Sequence, residues 1–198
     1  MLHIDHAGLE QLRSGIDAFG FGTLTATIWP DVLAGMRKEA DLCREAIQVE
    51  QQSGLRYHAA LAPLGRKATR LLGSQALSHV LARVFGGSFS LTEGRSCMTF
   101  YGEGDFLGPH QDQPAEECAV TIIVYLEVAD AAIRHGQTGL ELLVYGETMT
   151  PDAVPRLVIP TRAGAIVVGR GSAFYHERKR LARQERVVAL TGCYRHSS

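Results

Sequence analysis

Three residues of this sequence have the types and the spacing to hold a metal ion. His110 and Asp112 stand two apart in Leu107-Gly108-Pro109-His110-Gln111-Asp112. Residues two apart on an extended strand point the same way, so an imidazole nitrogen and a carboxylate oxygen can meet on one cation. The third ligand must come from elsewhere. His176 closes a strand-like run, 172–176, that follows the apolar Ala165-Ile166-Val167-Val168, and antiparallel strands bring such distant positions together. A structural zinc site would be closed by four protein ligands, and no fourth candidate has suitable spacing. Three ligands on one face leave three octahedral positions open to exchangeable groups. With eight histidines in the chain, accidental pairs are common, and a surface His–Asp pair beside a separate buried histidine is the alternative.

A cation further along adds context. Arg186 opens the apolar run Val187-Val188-Ala189-Leu190, where a charge needs a partner. Its planar guanidinium can grip a carboxylate with two parallel hydrogen bonds. The competing reading is a strand-end arginine reaching for water. The neighbouring Arg178, Lys179, Arg180 and Arg183 read together with it as a charge run, which is usually a solvated face.

These residues need elements to position them. Leu33, Met36, Ala40, Cys43 and Ile47 recur at helical spacing, which predicts an amphipathic helix over 31–52 ended by Ser53-Gly54. Leu72, Ala76, Val80 and Val84 predict a second helix from Thr69 to Phe85, stopped by Gly86-Gly87. After residue 87 the texture turns to short runs rich in Val, Ile, Thr, Phe and Tyr between Gly, Pro and Asp. These predict strands over 88–92, 95–101, 106–112, 119–128, 139–145, 156–159, 164–170, 172–176 and 185–194. The expected architecture is mainly β, a double-stranded β-helix (a cupin-like jelly roll) with helices packed on one outer face. A single domain over 1–198 is expected, with 1–87 a helical support and 88–198 the core that carries the metal site. Alternation sets Cys97, Thr99 and Tyr101 against Met98 and Phe100, and Thr121, Ile123 and Tyr125 against Val120, Ile122, Val124 and Leu126. The aliphatic faces are assigned to the helices and the tyrosine-bearing faces to the interior.

Composition narrows the function classes. Hydrophobic residues make up 45% and charged residues 21%, with a net charge of -1, an ordinary globular balance that lacks the drive for non-specific nucleic-acid binding. No nucleic-acid or membrane partner is expected. The start of the chain lacks a positive segment followed by an apolar run. Cys43, Cys97, Cys118 and Cys193 show no CxxC pair or zinc spacing, and reduced, mostly buried thiols in a cytoplasmic protein are expected.

The order HxD, distal His, then Arg on a strand-rich C-terminal half resembles the iron(II)/2-oxoglutarate-dependent dioxygenases, especially their prolyl-hydroxylase-like branch. The resemblance spans residues 95–195, from Met98-Thr99-Phe100-Tyr101 through Asp112 and on to His176-Glu177 and Arg186. Gly139-Leu140-Glu141-Leu142 is similar to a Gly-Gly-x-Leu strand of the family, with Thr138 in place of the first glycine. It implies Fe(II) held by His110, Asp112 and His176, and 2-oxoglutarate contacting Tyr101, Thr121 and Tyr125, with Arg186 on its distal carboxylate. It further implies consumption of O2, release of succinate and CO2, and hydroxylation of an unactivated C–H bond. Arg183 is a poorer rival to Arg186. Asp112 argues against a halogenase, in which a small residue takes the place of the carboxylate.

For the substrate, Arg95 and Arg170 are candidate contacts to a carboxylate, and Trp29, Arg56, Tyr57 and His58 candidate lid residues. A small molecule is expected, a free amino acid or derivative among the candidates. A peptide hydroxylase and a non-enzymatic or zinc-binding jelly roll are the alternatives. Nothing in the sequence specifies an oligomeric state.

Overall fold

The computed structural model describes residues 2–43, 48–49, 56–130 and 138–197. In chain order its elements are β1 (Leu2–Ile4), α1 (His6–Phe19), β2 (Phe21–Leu24), β3 (Ala26–Ile28), α2 (Pro30–Cys43), β4 (Gln48–Val49), β5 (Tyr57–His58), β6 (Ala60–Pro63), α3 (Arg66–Leu72) and α4 (Gln75–Phe85). There follow β7 (Phe89–Leu91), β8 (Cys97–Tyr101), β9 (Phe106–His110), β10 (Val120–Ala129), β11 (Glu141–Val144), β12 (Leu157–Pro160), β13 (Ile166–Gly169), β14 (His176–Arg178) and β15 (Arg186–His196).

Two antiparallel sheets carry the site. The larger runs β2-β13-β10-β15-β8-β6-β4, with β7 also on β15, and the smaller runs β12-β11-β14-β9-β5. The sheet-rich expectation holds, but strands begin earlier than expected. β2, β4 and β6 join the larger sheet and β5 the smaller one, so 1–87 is not purely helical. These strands are too short to show a two-residue period among their helical neighbours.

Helix ends follow their caps. α1 starts where the Asp5 side chain accepts from the Gly8 N–H and stops at Gly20, whose φ of 76° is a left-handed turn that favours glycine. The expected helix from Thr69 to Phe85 is two helices, because Ser74 turns out of the helix and caps α4 by accepting from the Leu77 N–H. α2 ends at Cys43. Gln48–Val49 pairs with β6 as a strand, so the helix expected to run to residue 52 does not. Ile47 and its expected stop at Ser53-Gly54 lie outside the described residues.

The central strands β13, β10, β15 and β8 of the larger sheet split their side chains between two apolar clusters. Leu12, Met36, Leu71 and Leu81 of the helices pack with Met98, Ile122, Val124 and Leu190. Tyr101, Tyr125, Leu142, Val187 and Ala189 form the other cluster. Burying each leucine stabilises by roughly 1.5–3 kcal/mol. At Leu126 the β10–β15 register slips, and a bulge of this kind leaves a residue outside the ladder. Leu126 faces the helices, whereas Val128, two residues on, packs against the tyrosine cluster. Arg37 of α2 donates from Nε to the Leu126 carbonyl at 2.7 Å, tying a helix to the bulge.

One covalent tie was not expected. Cys118, just before β10, is bonded to Cys193 on β15, so these two are not reduced thiols. The register sets Thr121 opposite Cys193 and so brings together residues 75 apart in sequence, a separation that carries no spacing signal. Cys43 and Cys97 are free.

Replacing Arg37 with Met leaves the Leu126 carbonyl without its donor, and we expect a loss of ~1–3 kcal/mol in unfolding free energy. Urea denaturation with the same m-value as wild type measures it. A change within a few tenths of a kcal/mol would show that the bulge does not depend on α2.

Candidate metal centre

β9 and β14 are neighbours in the smaller sheet, and His110 is the direct cross-strand partner of His176. Their ring centroids are 4.2 Å apart. The Nδ1 of His110 lies 3.0 Å from the Gly108 carbonyl and that of His176 lies 3.1 Å from the Phe174 carbonyl. A carbonyl can only accept, so each Nδ1 carries the proton and each Nε2 keeps a lone pair. Asp112 lies beyond the end of β9, not on the strand as expected. Its N–H donates to the Gly171 carbonyl at 2.9 Å, which turns the carboxylate inward. Oδ1 is 3.3 Å from the Nε2 of His110 and 3.8 Å from that of His176.

Ligand atoms of His110, Asp112 and His176 lie within 4.8 Å of one another, and they form the one such group among the described residues. Burial works to raise the Asp112 carboxyl, but the facing His176 and His110, with bonds from His110 and Thr121, hold it well below the usual carboxylate range. Burial, and then His110 beside it, bring the His176 pKa down to about 4 against the pull of Asp112. His176 is therefore neutral near pH 7, the form that ligates metals. Three lone pairs aimed at one spot repel each other unless a cation lies between them, so the donor set fits a divalent metal held on one face.

The supports are specific. Thr121, expected to touch the co-substrate, instead donates its hydroxyl to Oδ2 of Asp112. A Cβ on Gly171 would sit 2.0 Å from that same Oδ2 and 2.3 Å from the Thr121 hydroxyl, so the carboxylate needs a glycine behind it. Gln111 reaches from between the two ligands to the Ala173 carbonyl at 2.8 Å, clamping β9 to the loop that leads to His176.

Arg186, expected as the carboxylate anchor, is not in the interior. Val187 and Ala189 face the tyrosine cluster, so alternation turns Arg186 the other way, where it is 49% exposed and pairs with Glu127 at 2.9 Å. Arg178 takes the interior position. The expected strand 172–176 is instead a loop, and His176 opens β14 rather than closing a strand. Arg178, two residues on, therefore points inward beside it and is 4% exposed. Its guanidinium lies 5.3 Å and 5.4 Å from the ring centroids of Tyr101 and Tyr125. It donates to the Gly139 carbonyl, to Thr161 Oγ1 at 3.1 Å and to the Tyr125 hydroxyl at 2.9 Å. The same rule that pairs His110 with Asp112 would have found it, had β14 been started one strand-length later.

Arg178 and the three candidate ligands line one small chamber of about 60 Å³ with Tyr101, Thr121 and Tyr125. Burial pushes the Tyr101 phenol up, well above its usual range. The chamber shares Thr99, Tyr101, Leu107, His110, Asp112 and Thr191 with an outer cavity of about 560 Å³. Arg95 lines that cavity, but its Nε pairs with Glu117 and both side chains are partly exposed. Arg170 lines neither of these cavities; its guanidinium lies 5.8 Å over the Phe85 ring. Of the lid candidates, Tyr57 lines the outer cavity, Trp29 is exposed, and His58 pairs with Asp105. A larger hollow of about 690 Å³ lies between β1, α1 and α4, but its His3, Asp5, His6 and His79 do not converge on a point as the triad does.

Neither a protein-family model nor a curated protein matches the sequence. Solved structures do match. A prolyl-4-hydroxylase from Pseudomonas putida is 16% identical and superposes with a TM-score of 0.67 over 96% of this chain and 100% of that one. The non-haem alpha-ketoglutarate-dependent epimerase SnoN of nogalamycin biosynthesis is 14% identical, with a TM-score of 0.75 over 98% of this chain and 83% of that one. HygX from Streptomyces hygroscopicus, solved with nickel, 2-oxoglutarate and hygromycin B bound, is 16% identical with a TM-score of 0.65 over 95% of this chain and 87% of that one. At these identities the likeness is one of fold: this chain has the jelly-roll fold on which those 2-oxoglutarate-dependent enzymes are built.

Proposed function

We propose that this protein is an iron(II)/2-oxoglutarate-dependent oxygenase that hydroxylates an unactivated C–H bond of a small molecule. The observation that carries the reading is Arg178. Its charge is buried, its acceptors are two neutral hydroxyls and a carbonyl, and no carboxylate of the described residues pairs with it. A buried cation held this way lacks an anion. A dicarboxylate between Arg178 and the metal ligands supplies that anion and accounts for both ends of the chamber.

The chain's own groups divide the work. His110, Asp112 and His176 would hold the metal, and all three line the chamber. Arg178 grips the distal carboxylate of 2-oxoglutarate. Tyr125 accepts from Arg178, so its own O–H proton is free to donate to the same carboxylate. When bound, the iron and 2-oxoglutarate supply oxidising power from O2, with succinate and CO2 as by-products. Tyr101, Leu107 and Ile123 line the chamber and exclude water from it. Asp112 fills the ligand position that a halide would need, which favours hydroxylation.

The outer cavity supports a small-molecule substrate. Its volume falls in the range of small-molecule sites, roughly 300–1,000 Å³, and Thr99, Gln113, Tyr175 and Thr191 give its wall hydrogen-bonding groups. HygX and SnoN, which share the fold, are described with hygromycin B and nogalamycin. A second reading, a prolyl-type peptide hydroxylase, is favoured by the whole-chain match to the Pseudomonas enzyme and by a Trichoplax adhaerens relative in fold that was solved with a peptide fragment. Incubation with iron, 2-oxoglutarate and either a metabolite extract or a proline-containing peptide library separates the two: mass spectrometry shows which pool gains an oxygen atom. If neither succinate nor an oxygenated product forms, the reading fails.

Two sets of variants test the assignments. Replacing His110 or His176 by Ala is expected to abolish turnover and to release the metal, read by anaerobic Co(II) titration; full Co(II) affinity in either variant removes that histidine from the ligand set. Arg178→Gln is expected to keep Co(II) while raising the 2-oxoglutarate KM about 10–100-fold, the equivalent of losing one or two charge-assisted hydrogen bonds. Arg186→Ala should leave that KM within twofold, and the opposite pattern would return the anchor to Arg186.

A further inference from the structure

The two oxygens of Asp112 have different partners. Oδ1 faces the imidazoles, whereas Oδ2 accepts the hydroxyl of Thr121. A hydroxyl has one proton, so with that proton on Asp112 the Thr121 oxygen turns only lone pairs toward Cys118 Sγ, 3.5 Å away. Cys118 is bonded to Cys193, and a disulfide sulfur has no proton to give and accepts weakly. The bond from Thr121 to Asp112 is therefore uncontested while the disulfide stands.

We infer that Thr121 is a positioning residue for the metal's carboxylate, and that the Cys118–Cys193 bond is a redox site governing how tightly the metal is held. The inference rests on the reading of His110, Asp112 and His176 as a metal centre. Three observations join the parts. Thr121 is 2% exposed, so its hydroxyl is shielded from bulk solvent. Cys193 is the cross-strand partner of Thr121, so the disulfide pins the segment just before Thr121 to the strand beside it. Cys193, 7% exposed, lines the outer cavity, whereas Cys118, 1% exposed, lines neither the cavity nor the chamber.

That difference in access sets the direction of reduction. A small dithiol entering the cavity attacks the Cys193 sulfur as a thiolate, and Cys118 leaves as a thiolate. The reductant's second sulfur then attacks its first, closing a cyclic disulfide and releasing Cys193. Two electrons pass to the cysteine sulfurs, two protons complete the thiols, and the dithiol is oxidised. The sulfur freed in the first step, that of Cys118, is the one that lies against Thr121. Once reduced, Cys118 is free to turn its sulfur away from Thr121, and the start of β10 keeps its backbone pairing with β15 but loses its covalent fastening to it. Thr121 is then held less firmly as the donor to the outward oxygen of Asp112. Partners of this kind typically account for 10–100-fold in metal affinity.

The test is a Co(II) titration of the full chain before and after treatment with a small dithiol, removed by desalting under nitrogen. Thiol counting should give two free cysteines before reduction and four after, matching Cys43 and Cys97 as the free pair. The Co(II) dissociation constant is expected to rise about 10–100-fold on reduction. A Cys118→Ser/Cys193→Ser double variant should bind like the reduced protein and ignore the dithiol. Thr121→Val should bind weakly in both states with a shifted Co(II) absorption band, and Thr121→Ser should restore both affinity and band. Equal affinity before and after reduction, or four free thiols at the outset, overturns the inference and leaves the metal centre standing. No Co(II) binding by the oxidised wild type overturns both.

Discussion

Two imidazole lone pairs and one carboxylate oxygen aimed at a common spot are mutually repulsive, and much of this fold exists to hold them there. The cross-strand pairing of β9 with β14 sets His110 against His176. Carbonyls of Gly108 and Phe174 fix which nitrogen carries the proton. The loop after β13 supplies a carbonyl for the Asp112 backbone and a glycine behind its side chain. None of these contacts is strong alone. Together they leave the three donors no relaxed alternative, and a preorganised site costs little to assemble when the cation arrives.

The buried guanidinium poses the complementary problem at the other end of the chamber. Arg178 is flanked by two tyrosine rings and held by neutral oxygens, an arrangement that orients a charge without cancelling it. Positive potential is thus kept at one end and ligand lone pairs at the other. A cation on those lone pairs would make both ends positive, and a ligand with a carboxylate at each end would then match them in a way that a neutral molecule does not.

The three converging residues and the strand-rich C-terminal half are legible in the sequence because both rest on short-range rules. A two-residue period relates His110 to Asp112, and runs of β-branched residues between turn formers mark β8, β10 and β15. Where a boundary was misplaced, the chemistry moved with it. Ending a strand at His176 put Arg178 among the charges of a solvated run, although a strand that begins at His176 turns the same arginine inward. Arg186 lies outside the interior because the alternation seen in β8 and β10 also holds in β15, where Val187 and Ala189 claim the inner face. The Cys118–Cys193 bond and the strands of the first 63 residues had no local signature, since each depends on partners far along the chain. The cap at Ser74 was legible in principle, as serine before a helical run is a start signal.

The bulge at Leu126 and its bond to Arg37 show how the helical layer reaches the site without touching it, since the same strand carries Tyr125 and Thr121 toward the chamber. Gly171 sets a further limit, of a kind that matters to anyone wishing to alter what this scaffold accepts. Any side chain there would evict the carboxylate, so the position must stay fixed across a designed library. Gln113 and Arg95, on the wall of the outer cavity, are under no such restriction. Diversity can therefore be written into the solvent-facing wall while the inner shell is left untouched, a separation that lets one scaffold explore new ligands without surrendering its chemistry.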